Sequence, residues 1–294
     1  MMKSGVSCYC FNSMFLSGDI DVMKAIQFVG QETKADCIEY LSRYWDEDKD
    51  VNDQARAARK MTDKLDLQVS CYTMDSDFAV YDEAKYQQCI KTSIARLETA
   101  IILGTDTIRL DPRSSLSGKS RDEVDPDDII ARIAQGMAEV ADAAAGKGIT
   151  VGVENHGSMI GRCDQVAKMV ELANRPNFGV NLDFTNFRTV YGEDHIAAAR
   201  KLAKHVVHVH AKDFQISSKA QEGEGWREIP SGEYVKRAVG GEGNSGWQEI
   251  FSILKDAGYD GTISLEISDP ADIFGSVAKG VDNIRLVIAQ IDKS

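Results

Sequence analysis

Asp128-Ile-Ile-Ala-Arg-Ile-Ala-Gln-Gly-Met-Ala-Glu-Val-Ala-Asp-Ala-Ala-Ala-Gly146 runs into Ile149-Thr-Val-Gly-Val-Glu-Asn155, and this junction decides the fold. In the first stretch Ile129, Ile133, Met137, Val140 and Ala144 recur at three- and four-residue steps, the spacing of one helix face. The second is a short β-branched run that ends on polar residues, the pattern of a buried strand. The same couplet recurs along the chain. Strand-like runs fall at residues 6–11, 35–40, 67–73, 105–111, 149–155, 177–183, 206–213 and 261–267. Amphipathic stretches lie between and after them at residues 21–29, 54–65, 86–103, 128–146, 164–174, 194–204, 246–257 and 272–291.

Alternating strands and helices imply a parallel sheet with right-handed crossovers. Eight units over 294 residues average about 37 residues each, which fits an α/β fold made of a single (β/α)8 TIM barrel spanning residues 1–294. A doubly wound sheet would carry a glycine-rich phosphate loop after an early strand, and neither dinucleotide nor P-loop spacing occurs here.

Composition narrows the function. With 34 basic and 46 acidic residues the net charge is −12, which repels a phosphate backbone and argues against nucleic acid as a partner. No apolar run has the length of a membrane span, and the start lacks a signal-peptide core. A cytoplasmic protein with reduced thiols is expected. Cys8 and Cys10 read as one face of a strand without a second pair to complete a zinc site. Homo-oligomerisation stays open.

One connection is oversized. Glu154, Asp183, His210 and Glu266 close successive late strands at gaps of 29, 27 and 56 residues. The excess lies in residues 214–244, a glycine-studded insertion with Trp226 and Tyr234 among charges. On the C-terminal face of a barrel such a loop reads as a lid over the substrate mouth.

Barrel active sites are built at C-terminal strand ends. Three carboxylates and one imidazole on four consecutive strands suit an open site for Mn²⁺, Mg²⁺ or Co²⁺ better than a closed structural Zn²⁺ site. The competing reading is that acidic residues close strands and cap the next helix. His208 and His210 alternate along one strand and so face one side. His195 and His205 read as structural. Tyr9, Glu39, Tyr72 and Arg109 close strands one to four as rim candidates, and Arg109 is the best placed to hold an anion bidentately. Trp45 reads as loop packing ahead of sugar stacking.

Val153-Glu-Asn-His-Gly157, Asn181-Leu-Asp-Phe-Thr-Asn-Phe187, His208-Val-His-Ala-Lys-Asp213, Gly241-Glu-Gly243 and Ile263-Ser-Leu-Glu266 together resemble the sugar phosphate isomerase/epimerase family of xylose-isomerase-like barrels. The resemblance implies one divalent ion held by Glu154, Asp183, His210 and Glu266, with Mn²⁺ foremost and Mg²⁺, Co²⁺ or Zn²⁺ as alternatives. It also implies that Glu154 and Glu266 shuttle a substrate proton through an enediolate. His156 is a further candidate acid or base. Asn186, His208, Lys212, Arg109 and Tyr72 are the expected substrate contacts, and the substrate is a small sugar or polyol. Two departures stand out: Asn186 and Ile216 occupy places where the ketose 3-epimerases carry His and Arg. The endonuclease branch needs many more histidines than the five present. The expected activity is therefore isomerase or epimerase. A lyase or dehydratase acting on a keto-polyol or glycoside is the alternative, and a non-catalytic sugar-binding barrel stands third.

Overall fold

Eight short apolar runs pair in parallel and close on themselves. The computed structural model describes residues 1–293 apart from 114–115, 117–118, 120–122, 158–159 and 269–270. The barrel strands are β1 (Lys3–Ser7), β2 (Cys37–Leu41), β3 (Gln68–Met74), β4 (Thr107–Leu110), β5 (Thr150–Glu154), β6 (Phe178–Asp183), β7 (Val206–Ala211) and β11 (Thr262–Leu265). They close in the order β1-β11-β7-β6-β5-β4-β3-β2, the (β/α)8 TIM barrel expected from the alternation. The helices are α1 (Asn12–Ser17), α2 (Val22–Glu32), α3 (Val51–Lys64), α4 (Glu83–Ala95), α5 (Leu97–Leu103), α6 (Pro126–Ala145), α7 (Cys163–Ala173), α8 (Phe184–Tyr191), α9 (His195–Leu202), α10 (Trp247–Asp256) and α11 (Ile273–Ile291). Among the described residues no helix is long and apolar enough to cross a membrane.

The layer between barrel and helices is the core. In α6, Ile129, Ile133, Met137, Val140 and Ala144 are all fully buried, so the periodic face meets the strands. Truncating any of the three large side chains among them to alanine should cost about 2–5 kcal/mol. All six cysteines are free thiols, as expected.

Several boundaries differ from the sequence reading. The first strand stops at Ser7, whose hydroxyl accepts from Tyr9 N at 3.3 Å and turns Cys8–Phe11 into a 3₁₀ turn. Cys8 and Cys10 are thus not on a strand. The stretch 86–103 divides into α4 and α5 at Arg96, whose guanidinium donates to the Asp75 carbonyl. Helix α8 was not anticipated, because the last residue of β6 is also its N-cap: Asp183 Oδ1 accepts from Asn186 N at 3.3 Å.

The insertion is not an irregular loop. It folds into a three-stranded antiparallel sheet of β8 (Phe214–Ser217), β9 (Arg227–Glu228) and β10 (Tyr234–Arg237), ordered β8-β10-β9. Phe214, Ile229 and Val235 form its own small core. Asp213 ties both ends to the barrel: its carboxylate accepts from the backbone N–H groups of Phe214, Gly241, Gly243 and Ser245. A Cβ on Gly243 would lie 2.3 Å from Asp213 Oδ1 and 2.4 Å from the Phe214 carbonyl, so only glycine fits that approach.

Candidate metal centre and active site

Side chains alternate across a strand, so the residues that meet inside the barrel define its interior parity. Glu39 of β2 accepts from Thr73 of the neighbouring β3 (2.8 Å) and from Ser264 of β11, one strand beyond β1 (2.8 Å), so these side chains share the inner face of the barrel. By the same parity Arg109, Glu154, Asp183, His208, His210 and Glu266 point inward.

Glu154, Asp183, His210 and Glu266 come together at the C-terminal end. Each offers a ligand atom, all of these atoms lie within 4.8 Å of one another, and all four residues are buried. His210 Nδ1 is 2.8 Å from Glu266 Oε2 and 3.0 Å from Glu154 Oε1. Lys212 bridges Asp183 and Glu266, at 2.7 Å from the latter, and Arg109 is paired with Glu154. The donor set fits a divalent ion: three carboxylates and an imidazole, with Asn181 Oδ1 buried beside them and lacking a hydrogen-bond partner. Buried charges of one sign must be paired, and here Lys212, Arg109 and His210 supply the positive charge.

The ionisation states follow from this pairing. Burial opposes the charge on Glu266, but Lys212 and His210 outweigh it and hold the carboxyl well below its usual range. Burial likewise opposes a protonated His210, yet Glu39 and Glu266 push its pKa up to about 10. Lys212 is raised by Asp183 and Glu266 against the same penalty.

The remaining expected contacts separate into two groups. His156 stands at the mouth, its Nδ1 2.8 Å from the buried carboxylate of Asp111. Asn186 lies beside the centre in α8, with its amide donating to the Asn155 carbonyl at 3.4 Å. Lys212 and Arg109 contact the clustered carboxylates directly. His208 and Tyr72, by contrast, are not at the rim. His208 is buried one layer lower, its Nε2 3.1 Å from Glu39. Tyr72 sits between the inward-facing Cys71 and Thr73, so it faces the helices, where its hydroxyl accepts from Trp45 Nε1 at 3.1 Å. That bond also makes Trp45 a packing residue. Glu39 is fully buried beneath His210 and is no rim contact either.

Two asparagines and an aspartate escaped the sequence reading. Asn155 brackets the Asp183 backbone, accepting from its N–H at 3.0 Å and donating to its carbonyl at 2.8 Å. Asn181 contacts His210 Nδ1 at 3.2 Å. Asp111 orients His156. Their signal was an amide or carboxylate placed in or just after a run otherwise apolar.

A cavity of about 370 Å³ opens beside the centre, lined by Lys212 and Glu266 on one side and by Phe214, Arg237 and Val239 of the insertion on another. A larger hollow of about 530 Å³ lies at the opposite end of the barrel, between Lys3, Asp63, Asp106 and Asp260, and ends on His208. Barrel chemistry belongs to the C-terminal face, so the smaller cavity is the candidate substrate site.

Known proteins carry the same architecture. An L-ribulose 3-epimerase structure superposes with a TM-score of 0.71 at 19% identity, covering 100% of this chain and 96% of that one. The IOLI protein with a bound zinc atom gives 0.73 at 16% identity, over 99% and 98%. The probable 3-DHS dehydratase AsbF from Bacillus anthracis gives 0.73 at 15%, over 97% and 99%. At these identities the likeness is one of fold. The uncharacterized protein YfiH of Bacillus subtilis (strain 168) is 33% identical over 128 residues, which cover 40% of each chain, well under two thirds of that relative. The family model described as xylose isomerase-like TIM barrel matches residues 30–286. With that match running from α2 into α11, the chain belongs to the xylose isomerase-like TIM barrel family.

Proposed function

We propose that this protein is a divalent-metal-dependent isomerase or epimerase acting on a small sugar, cyclitol or keto-sugar, with Mn²⁺ the leading ion. The observation that carries the reading is the convergence of Glu154, Asp183, His210 and Glu266 on one point at the C-terminal face. A bound divalent ion supplies the charge that stabilises the enediolate left when a carbon beside a carbonyl loses its proton. Glu154 ends β5 and Glu266 directly follows β11, with two strands between them, so each would address the substrate from its own side. Each carboxylate would help to hold the ion and would take or return the C–H proton on its side. Lys212, Arg109 and Asn186 hold substrate oxygens, and the sheet of residues 214–237 limits water at the mouth. The L-ribulose 3-epimerase shares the fold and supports this substrate class.

A lyase or dehydratase on a keto-polyol is the second reading. The His156–Asp111 pair favours it, because loss of a hydroxyl needs an acid that the two glutamates do not supply. The fold shared with the probable 3-DHS dehydratase is in keeping with it. Proton NMR of a sugar and polyol panel in D₂O with added Mn²⁺ tests both. Isomerisation or epimerisation places deuterium on one carbon and leaves a sugar, whereas a lyase gives an unsaturated or deoxygenated product. Binding without either would leave a non-catalytic sugar-binding barrel.

A further inference from the structure

We propose that Glu39 is a positioning residue of the metal centre, which fixes His210 with its hydrogen on Nε2 and so presents the Nδ1 lone pair to the ion. The inference rests on the metal centre described above. The two ring nitrogens of His210 face opposite ways. Nδ1 looks toward Glu266 and Glu154, at 2.8 and 3.0 Å. Nε2 looks down into the barrel, 3.0 Å from Glu39 Oε1 and 3.1 Å from Oε2. A ligating nitrogen must offer a lone pair, so a neutral imidazole must carry its one hydrogen on the other nitrogen, and that hydrogen needs an acceptor. Glu39 is the acceptor in place.

The carboxylate is held for this task. Thr73 Oγ1 donates to Oε1 at 2.8 Å, and Ser264 Oγ donates to Oε2 at 2.8 Å. His208 Nε2 lies 3.1 Å from Oε2, with its ring edge-on to that of His210 at 5.5 Å. Glu39 has no solvent exposure, so water does not compete for the bond. An ion held by His210 would require Nδ1 free of its proton, while the Nε2 hydrogen would remain on the ring and be donated to Glu39. Four strands (β2, β3, β7 and β11) thus set the orientation of one ligand ring from below.

The test pairs wild-type spectroscopy with one substitution. In protein labelled with ¹⁵N-histidine and loaded with cadmium-113, the His210 signal coupled to cadmium should be Nδ1, with Nε2 still protonated. Glu39→Gln should bind Mn²⁺ about 10- to 100-fold more weakly, and Glu39→Asp, which keeps the charge, should recover part of that loss. If Glu39→Gln does not fold, the wild-type coupling decides alone. Cadmium coupled to Nε2, or unchanged Mn²⁺ affinity in folded Glu39→Gln, overturns the role of Glu39 and leaves the metal centre standing. A wild-type protein that takes up no divalent ion overturns the metal centre itself, and this inference with it.

Discussion

His156 Nδ1 lies 2.8 Å from Asp111 Oδ2, and the two differ sharply in burial: the His156 side chain is 45% exposed and that of Asp111 not at all. Burial alone would raise the Asp111 pKa, but Arg109 and His156 hold it well below the usual carboxylate range. A fixed anion behind an imidazole sets its tautomer, which would leave Nε2 free to act on a substrate. For an isomerase or epimerase, His156→Gln should lower deuterium wash-in less than loss of either glutamate does. Asp111→Asn should follow His156→Gln in size, because it acts through that ring. Steady-state kinetics of both variants checks this. A His156→Gln loss as large as that of the glutamate variants would move the assignment to the lyase.

Glu154→Gln and Glu266→Gln keep shape and one ligand oxygen but remove the basic lone pair. Each should reduce solvent deuterium exchange into substrate by at least ~10²-fold at saturating metal, the low end of what one positioned acid or base contributes. Wild-type exchange at saturating metal, with a loss only at limiting metal, would show that both residues are ligands only.

Removing metal exposes a pH dependence with a definite sign. In the metal-free protein the pKa of His210 rises from 6.5 to about 10. A pKa raised by folding contributes stability that is complete below the unfolded value of 6.5 and is lost as pH climbs toward 10. The melting temperature in EDTA should therefore fall between about pH 7 and pH 9, and His210→Gln should flatten that slope. A metal ion bound by His210 would displace a proton from the ring, so the stabilisation it brings should grow over the same range. Calorimetry with and without Mn²⁺ reads both trends. A level profile in EDTA would mean that His210 is not charged in the metal-free protein.

The insertion offers a test away from the ligands. Gly243→Ala drives a Cβ into Asp213 and the Phe214 carbonyl, the point where the small sheet joins the barrel. Deleting residues 220–232 removes β9 and Ile229 from the sheet's own core. Both changes should raise KM or abolish turnover while far-UV circular dichroism stays that of the barrel. Unchanged kinetics would separate the sheet from the substrate site.

The barrel was legible because periodic helices alternate with short β-branched runs, as residues 128–155 show. The candidate site was legible because Glu154, Asp183, His210 and Glu266 lie at or near the ends of such runs. Contacts across the barrel were not. Glu39 lies near the end of the second run, but nothing local says that His210, 171 residues on, lies over it. Tyr72 shows the limit of counting from a strand end, since one step along β3 separates the interior from the helix layer. Asp183 shows why α8 was hidden: one carboxylate both closes a strand and caps the helix that starts at the next residue. The insertion hid its sheet because its strands are two to four residues long and glycines separate them.

Metal content measures the central claim most directly. Protein saturated with Mn²⁺, desalted and analysed by plasma mass spectrometry should carry one ion per chain. Glu154→Ala, Asp183→Ala, His210→Ala and Glu266→Ala should each lose most of it while remaining folded. Wild-type protein without bound metal, or four variants that retain as much as wild type, would contradict the account.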